Sequence, residues 1–177
     1  LGRAGAEVTK GALYHHFSGK QALFEAVFVS VEDEAANVIK KALKEPRDPW
    51  EKALAGLRAF LTVVQDPTYQ RVVIQEGPAI LGYERFRESE ERSSYGIIQT
   101  IVCSVVKAGD WSLDQDMSRT FSRIFFGAMS AAGEMITGAS DGPEASAQVE
   151  VAITFILEGL RSLAEAGAEL PVVEEEA

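Results

Sequence analysis

Aspartate followed by proline occurs at Asp48-Pro49 and Asp66-Pro67, and Asp141-Gly142-Pro143 punctuates the chain again before its last segment. An aspartate before a helix accepts hydrogen bonds from the unpaired amides of the first turn. A proline in the first helical position gives up an amide that had no partner anyway. These three signals cut the chain into segments that begin as helices. Between them apolar residues recur at helical spacing, and no useful length alternates as a strand would. The fold class follows: all-α, in separate rods joined by short corners.

The segments read in order as follows. A first long helix opens at Ser18, which with Gln21 forms a capping box, and runs to about Lys44. Phe24, Val27, Phe28, Val31, Ala35, Val38 and Ala42 lie along one face of it. Glu45-Pro46 stops it, and Asp48-Pro49 starts a helix carrying Trp50, Leu54, Leu57, Phe60, Leu61 and Val64. Asp66-Pro67 starts a shorter helix through Gln75, and Gly77-Pro78 and Gly82 make Glu76–Tyr83 a bend or a broken helix. The next helix spans about Tyr83 to Lys107. Its first half, E-R-F-R-E-S-E-E-R, is expected to face solvent, and its apolar second half, Ile97–Val106, to be buried with Cys103 inside it. Ser112 and Gln115 suggest a second capping box. Two long helices close the chain, at 114–138 and 143–166. In the last, Glu150, Thr154, Glu158 and Arg161 form only a narrow polar stripe. A helix apolar nearly all round is buried on two sides, so residues 114–138 and 143–166 are expected to pair with the same helices of a second copy in a four-helix bundle. The alternative places them centrally in a monomer. Residues 168–177 read as an acidic tail.

Bulk properties bound the rest. With 177 residues the chain can bury one sizeable core, and 46% hydrophobic with 25% charged residues is ordinary for a globular protein. A single cysteine excludes an internal disulfide and fits a reducing compartment. No apolar run reaches membrane-spanning length, so a cytoplasmic location without membrane partners is expected. The net charge of −10 is uneven. Residues 1–20 carry Arg3, Lys10 and Lys20 against Glu7, a small basic end on an acidic body.

That basic end holds the most informative stretch, V-T-K-G-A-L-Y-H-H-F-S-G-K-Q-A-L, from Val8 to Leu23. Thr9 is a suitable cap for a short helix whose face carries Lys10, Gly11, Tyr14 and His15. Gly11 inside a helix costs about 1 kcal/mol against alanine. Lys20 stands at the positive end of the next helix dipole, where a cation is disfavoured. A polyanion against this face explains both, because glycine permits close backbone approach and a helix start with a lysine holds phosphate. The plainer reading is a tolerated glycine and a solvated lysine.

This stretch resembles the end of the helix-turn-helix in TetR (tetracycline repressor-like) transcriptional regulators. The similarity covers about Ala6 to Leu23. Glu7 departs from it, standing where the family usually has glycine. Only Leu1–Ala6 precede the turn, so residues 1–26 are expected to be the remnant of a DNA-binding domain whose upstream helices are absent. Residues 27–167 would then form the effector-binding and dimerisation body. The resemblance implies a homodimeric regulator, most often a repressor, binding a pseudo-palindromic duplex operator and released by a small molecule. Thr9, Lys10, Gly11, Tyr14, His15 and Lys20 would meet DNA.

Large side chains near helix bends are the candidate walls of an effector pocket: Phe60, Val64, Tyr69, Ile74, Phe86, Trp111, Phe121 and Phe125. Such a lining suits an apolar or aromatic molecule, with core packing as the alternative for each residue. Adjacent His15 and His16 diverge on a helix, and no cysteine cluster, phosphate loop or nucleophile–base pair can be assembled. Neither metal, cofactor nor enzymatic function is indicated. The rival reading is a helical small-molecule-binding protein or bundle enzyme without DNA binding.

Overall fold

The structure is a computed structural model that describes residues 17–170. These residues are all-α, with no strand among them. In chain order they form α1 (Lys20–Ala42), α2 (Pro49–Val64), α3 (Pro67–Tyr69), a π-helical segment π1 (Gln70–Glu76), α4 (Gly77–Leu81), α5 (Tyr83–Glu90), a second π-helical segment π2 (Glu91–Tyr95), α6 (Gly96–Ala108), α7 (Gln115–Gly138) and α8 (Gly142–Glu165). No helix among them is long and apolar enough to cross a membrane.

The aspartate caps act as expected. Asp48 accepts from the amides of Trp50 and Glu51 at 2.9 and 3.0 Å. Asp66 accepts from Thr68 and Tyr69; Asp141, which the sequence marked only as a break, caps the last helix as well, accepting from Glu144. Both expected capping boxes are overturned. α1 begins at Lys20 with Gly19 as its uncapped flanking residue, at φ 151° and ψ −177°, a conformation essentially reserved for glycine. That turn carries Ser18 past the helix end. Gln21 instead donates to the carbonyl of Ile80 at 3.3 Å, tying the start of α1 to α4. At α7 the cap is Asp114, which accepts from Met117 at 2.7 Å, and Ser112 lies outside the helix.

α2 is the central helix. It packs against α1, α6, α7 and α8 and buries Trp50, Leu57, Leu61 and Val64 on one side. Ala53 is buried on that same side, and Gly56 and Ala59 are buried beside it, where small residues let neighbours close in. Leu57, Leu61 and Val64 join Ala132 and Ile136 of α7 and Val149 of α8 in one cluster. Trp50 and Ala53 join Val105 of α6 and Leu157 of α8 in another.

A third cluster, Phe28, Val73 and Leu81, locks α1 onto π1 and α4. Phe28 is fully buried, which contributes about 2–3 kcal/mol of apolar burial, and its ring meets Phe86 edge-on at 5.8 Å. The face of α1 that turns inward is rotated from the expected one. Glu32, Ala35 and Ala36 are buried, while Val27 and Val38 are exposed. The alanines permit the close approach of α2, and Glu32 finds a partner in Ser93.

Two further expectations are corrected in the Tyr83–Lys107 region. It is broken by π2, and just before that segment Ser89 is buried and Glu90 largely so rather than solvent-facing. Cys103 is exposed. α6 points Val102 and Val105 inward against α2 and α7, and a residue one step from Val102 turns about 100° away from that face. Within one chain α8 buries Val149 and Leu157 and leaves Val151, Phe155, Ile156 and Leu163 exposed.

Candidate functional site

Of the residues expected to meet DNA, Thr9, Lys10, Gly11, Tyr14 and His15 lie outside the described residues. Lys20 is the first residue of α1, exposed, with no acidic residue in that first turn. The amides of that turn receive no side-chain cap, which leaves donors and a cation together at one helix end.

The larger site lies in the body. A cavity of about 320 Å³ opens among the helices. α2 contributes Phe60 and Val64 to its wall, the α3–π1 turn Tyr69 and Ile74, and α5 Phe86. Trp111, in the corner between α6 and α7, and Phe121 and Phe125 of α7 complete the set of eight expected positions. All eight therefore surround one space. Trp111 is fixed by its indole N–H, which donates to the carbonyl of Ala168 at 2.7 Å. Both π segments reach the wall, through Ile74 and Ser94. Such segments recur at functional sites because the extra residue per turn re-aims side chains.

α1 also lines the cavity, through Ala35 and Ile39. One helix thus begins beside the motif at the amino-terminal end and ends against the internal space. Its 23 residues span about 35 Å at the helical rise.

The wall is not wholly apolar. Arg87, Glu90 and Glu134 line it together with the hydroxyl-bearing Tyr69, Tyr83, Ser94 and Ser130. Burial pushes the Glu90 carboxyl up to about 7, and the nearby carboxylates of Glu32, Glu134 and Glu91 push the same way, with Arg87 opposing. Arg87 is only loosely engaged, 4.0 Å from Glu90 and 5.6 Å from the centre of the Phe126 ring.

Behind Glu90, on α1, Glu32 is 3% exposed and accepts a 2.8 Å hydrogen bond from the Ser93 hydroxyl. Burial raises its carboxyl to about 7 as well; the Ser93 bond opposes, Asp33 adds to the rise and Arg92 lowers it. Tyr69, between them, is held far above its usual value by burial and by both carboxylates. The acid of the rod therefore bears on the acid of the cavity, raising it.

Sequence reasoning missed Glu90 and Arg87. A signal existed: Glu90 follows Phe86 by one helical turn, so the two share a face. Arg119 and Arg123, upstream of Glu134 on α7, are engaged elsewhere. Arg119 pairs with Asp116, and Arg123 pairs with Glu91 at 2.9 Å and lies over Tyr95.

Comparisons with known proteins agree on one group. Residues 50–160 match the family model described as the tetracyclin repressor-like C-terminal domain. Residues 3–27 match the model of bacterial regulatory proteins of the tetR family. Among solved structures, a TetR-family transcriptional regulator from Pectobacterium atrosepticum superposes with a TM-score of 0.74 at 27% sequence identity. The match covers 88% of this chain and 78% of that one. No curated protein gives a significant match.

Proposed function

The chain belongs to the TetR family of bacterial transcriptional regulators, and on that premise we propose that it is a ligand-responsive repressor. In this reading residues 1–26 belong to the DNA-binding end and residues 27–167 to the effector-binding and dimerisation body. The observation that carries it is the position of α1. That helix starts at Lys20, beside the recognition motif, and supplies Ala35 and Ile39 to the cavity wall. A molecule filling the cavity touches the same rod that carries the DNA-facing segment. It shifts the protein away from DNA only so far as it prefers the arrangement of rods that misplaces the two recognition helices.

Dimerisation is supported by the outer face of α7 and α8. Ile124, Ala128, Ala131 and Met135 form a stripe at helical spacing on α7, all exposed. Val151, Phe155, Ile156 and Leu163 do the same on α8, with Phe155 80% exposed. An apolar face of that length on two adjacent helices suits a second copy, giving a four-helix interface. Two copies would then set recognition helices one DNA turn apart, about 34–36 Å.

The test is a duplex-binding titration with the full-length protein, using genomic fragments selected by binding. Binding that weakens steeply with salt and is lost on Lys20→Ala with Tyr14→Ala supports the repressor. Absence of binding to every duplex favours a helical small-molecule carrier or bundle enzyme instead.

A further inference from the structure

We propose that the effector is a lipophilic cation, an arylalkyl ammonium or its quaternary equivalent, whose positive group is received by Glu90 with Glu134 beside it. This rests on the effector-binding reading above and names the chemistry of that same cavity. The charged side chains on the cavity wall are two carboxyls and one guanidinium, so the space carries a net negative balance when its acids are ionised.

That single guanidinium does not satisfy the acids. Arg87 stands 4.0 Å from Glu90, at the outer limit of an ion pair, and is held over the Phe126 ring. Among the described residues no hydrogen bond reaches the Glu90 carboxylate, although its side chain is only 15% exposed. A carboxyl taken from water without a full partner is costly to ionise, and Glu90 accordingly gives up its proton late. A cation in the cavity supplies the missing partner. The rings of Tyr69, Tyr83, Phe86 and Phe126 lie on the same wall, and aromatic faces attract ammonium groups. An anionic effector would meet Glu90 and Glu134 with one loosely held arginine to offset both.

The groups that bear on Glu90 come from every side. They are Glu32 on α1, Tyr69 on α3, Arg87 on its own helix, Glu91 on π2 and Glu134 on α7. Apart from Arg87 and Tyr69, whose hydroxyl keeps its proton, these are carboxylic acids, and their ionisation draws a cation further.

Three probes of one shape separate the possibilities: 1-naphthylmethyl-trimethylammonium, its neutral carbon isostere 1-neopentylnaphthalene, and 1-naphthaleneacetate. Binding is read by fluorescence and calorimetry on the whole protein. The expected order is cation over neutral by tenfold or more, with the anion weakest. Raising the pH from 6 to 8 should tighten the permanent cation about tenfold and leave the neutral probe unchanged. Glu90→Gln should weaken the cation at least tenfold and the neutral probe less than twofold. The probe series on the unmutated protein decides the matter even if that variant fails to fold. Cation and neutral binding equally, or the anion binding best, overturns the cation assignment while the cavity reading survives. No binding by any probe overturns both.

Discussion

Replacing Glu32 by glutamine should stabilise this protein, and should do so only at high pH. Glutamine keeps the size of the side chain, and its carbonyl can still accept the Ser93 hydrogen bond. What it removes is the cost of an ionised carboxylate in a site 3% exposed. The folded protein holds the Glu32 proton up to about 7 against an ordinary value of 4.5. Between those values the folded form binds more protons than the unfolded chain, so stability falls as pH rises, and above 7 the whole penalty is present. At roughly 1.4 kcal/mol per pH unit that penalty is about 3 kcal/mol. The substitution also lifts one of the repulsions acting on Glu90, which adds to the gain in the same direction. Urea unfolding at fixed protein concentration, at pH 5 and pH 8.5, reads the difference. Glu32→Gln should raise stability by about 3 kcal/mol at pH 8.5 and by less than about 1 kcal/mol at pH 5, with the denaturant slope unchanged. A loss of stability at both pH values, or a gain independent of pH, would refute the reasoning.

Other consequences are as direct. At Gly77 an added Cβ would stand 2.6 Å from the ring of fully buried Phe28 and 3.2 Å from that of Phe86, so Gly77→Ala should destabilise by about 1–3 kcal/mol in thermal or urea unfolding. Asp48→Ala removes the acceptor of two amides at the start of α2 and should cost about 1 kcal/mol, seen as a lower urea midpoint at neutral pH. Phe155→Glu places a charge at the centre of the exposed stripe on α8 and should convert a dimer to monomers in sedimentation at micromolar concentration. A sedimentation profile unchanged by that substitution would place the interface elsewhere.

Much of the architecture was legible because it is written in short-range chemistry. Asp48, Asp66 and Asp141 each bind amides two or three residues onward, so the starts of α2, α3 and α8 need no knowledge of the fold. The break at Gly82, standing at φ 78°, is similarly local, whereas Gly77-Pro78 breaks nothing: the run from Pro67 to Leu81 stays helical through it, passing from π1 to α4. The eight cavity positions were legible for a related reason. Large side chains beside helix breaks cannot all be packed by regular neighbours, and here they surround one space. Ser18 and Ser112 misled because a residue able to cap does not decide where the helix starts. A neighbouring glycine turn displaced the first, and Asp114 served in place of the second.

The sequence by itself determined that this chain would be helical, where most rods begin, and that its amino-terminal stretch matches a regulator's DNA-facing motif. Only the tertiary structure decided which way each rod is turned. Glu32 is inside because Ser93, 61 residues later, meets it, and Glu90 faces the cavity because α5 packs with the face it shares with Phe86 turned inward. Cys103 is outside because α2 and α7 take the opposite side of α6. Rotation about a helix axis is set by partners distant in sequence, and an apolar pattern broad enough to allow several rotations leaves that choice to packing.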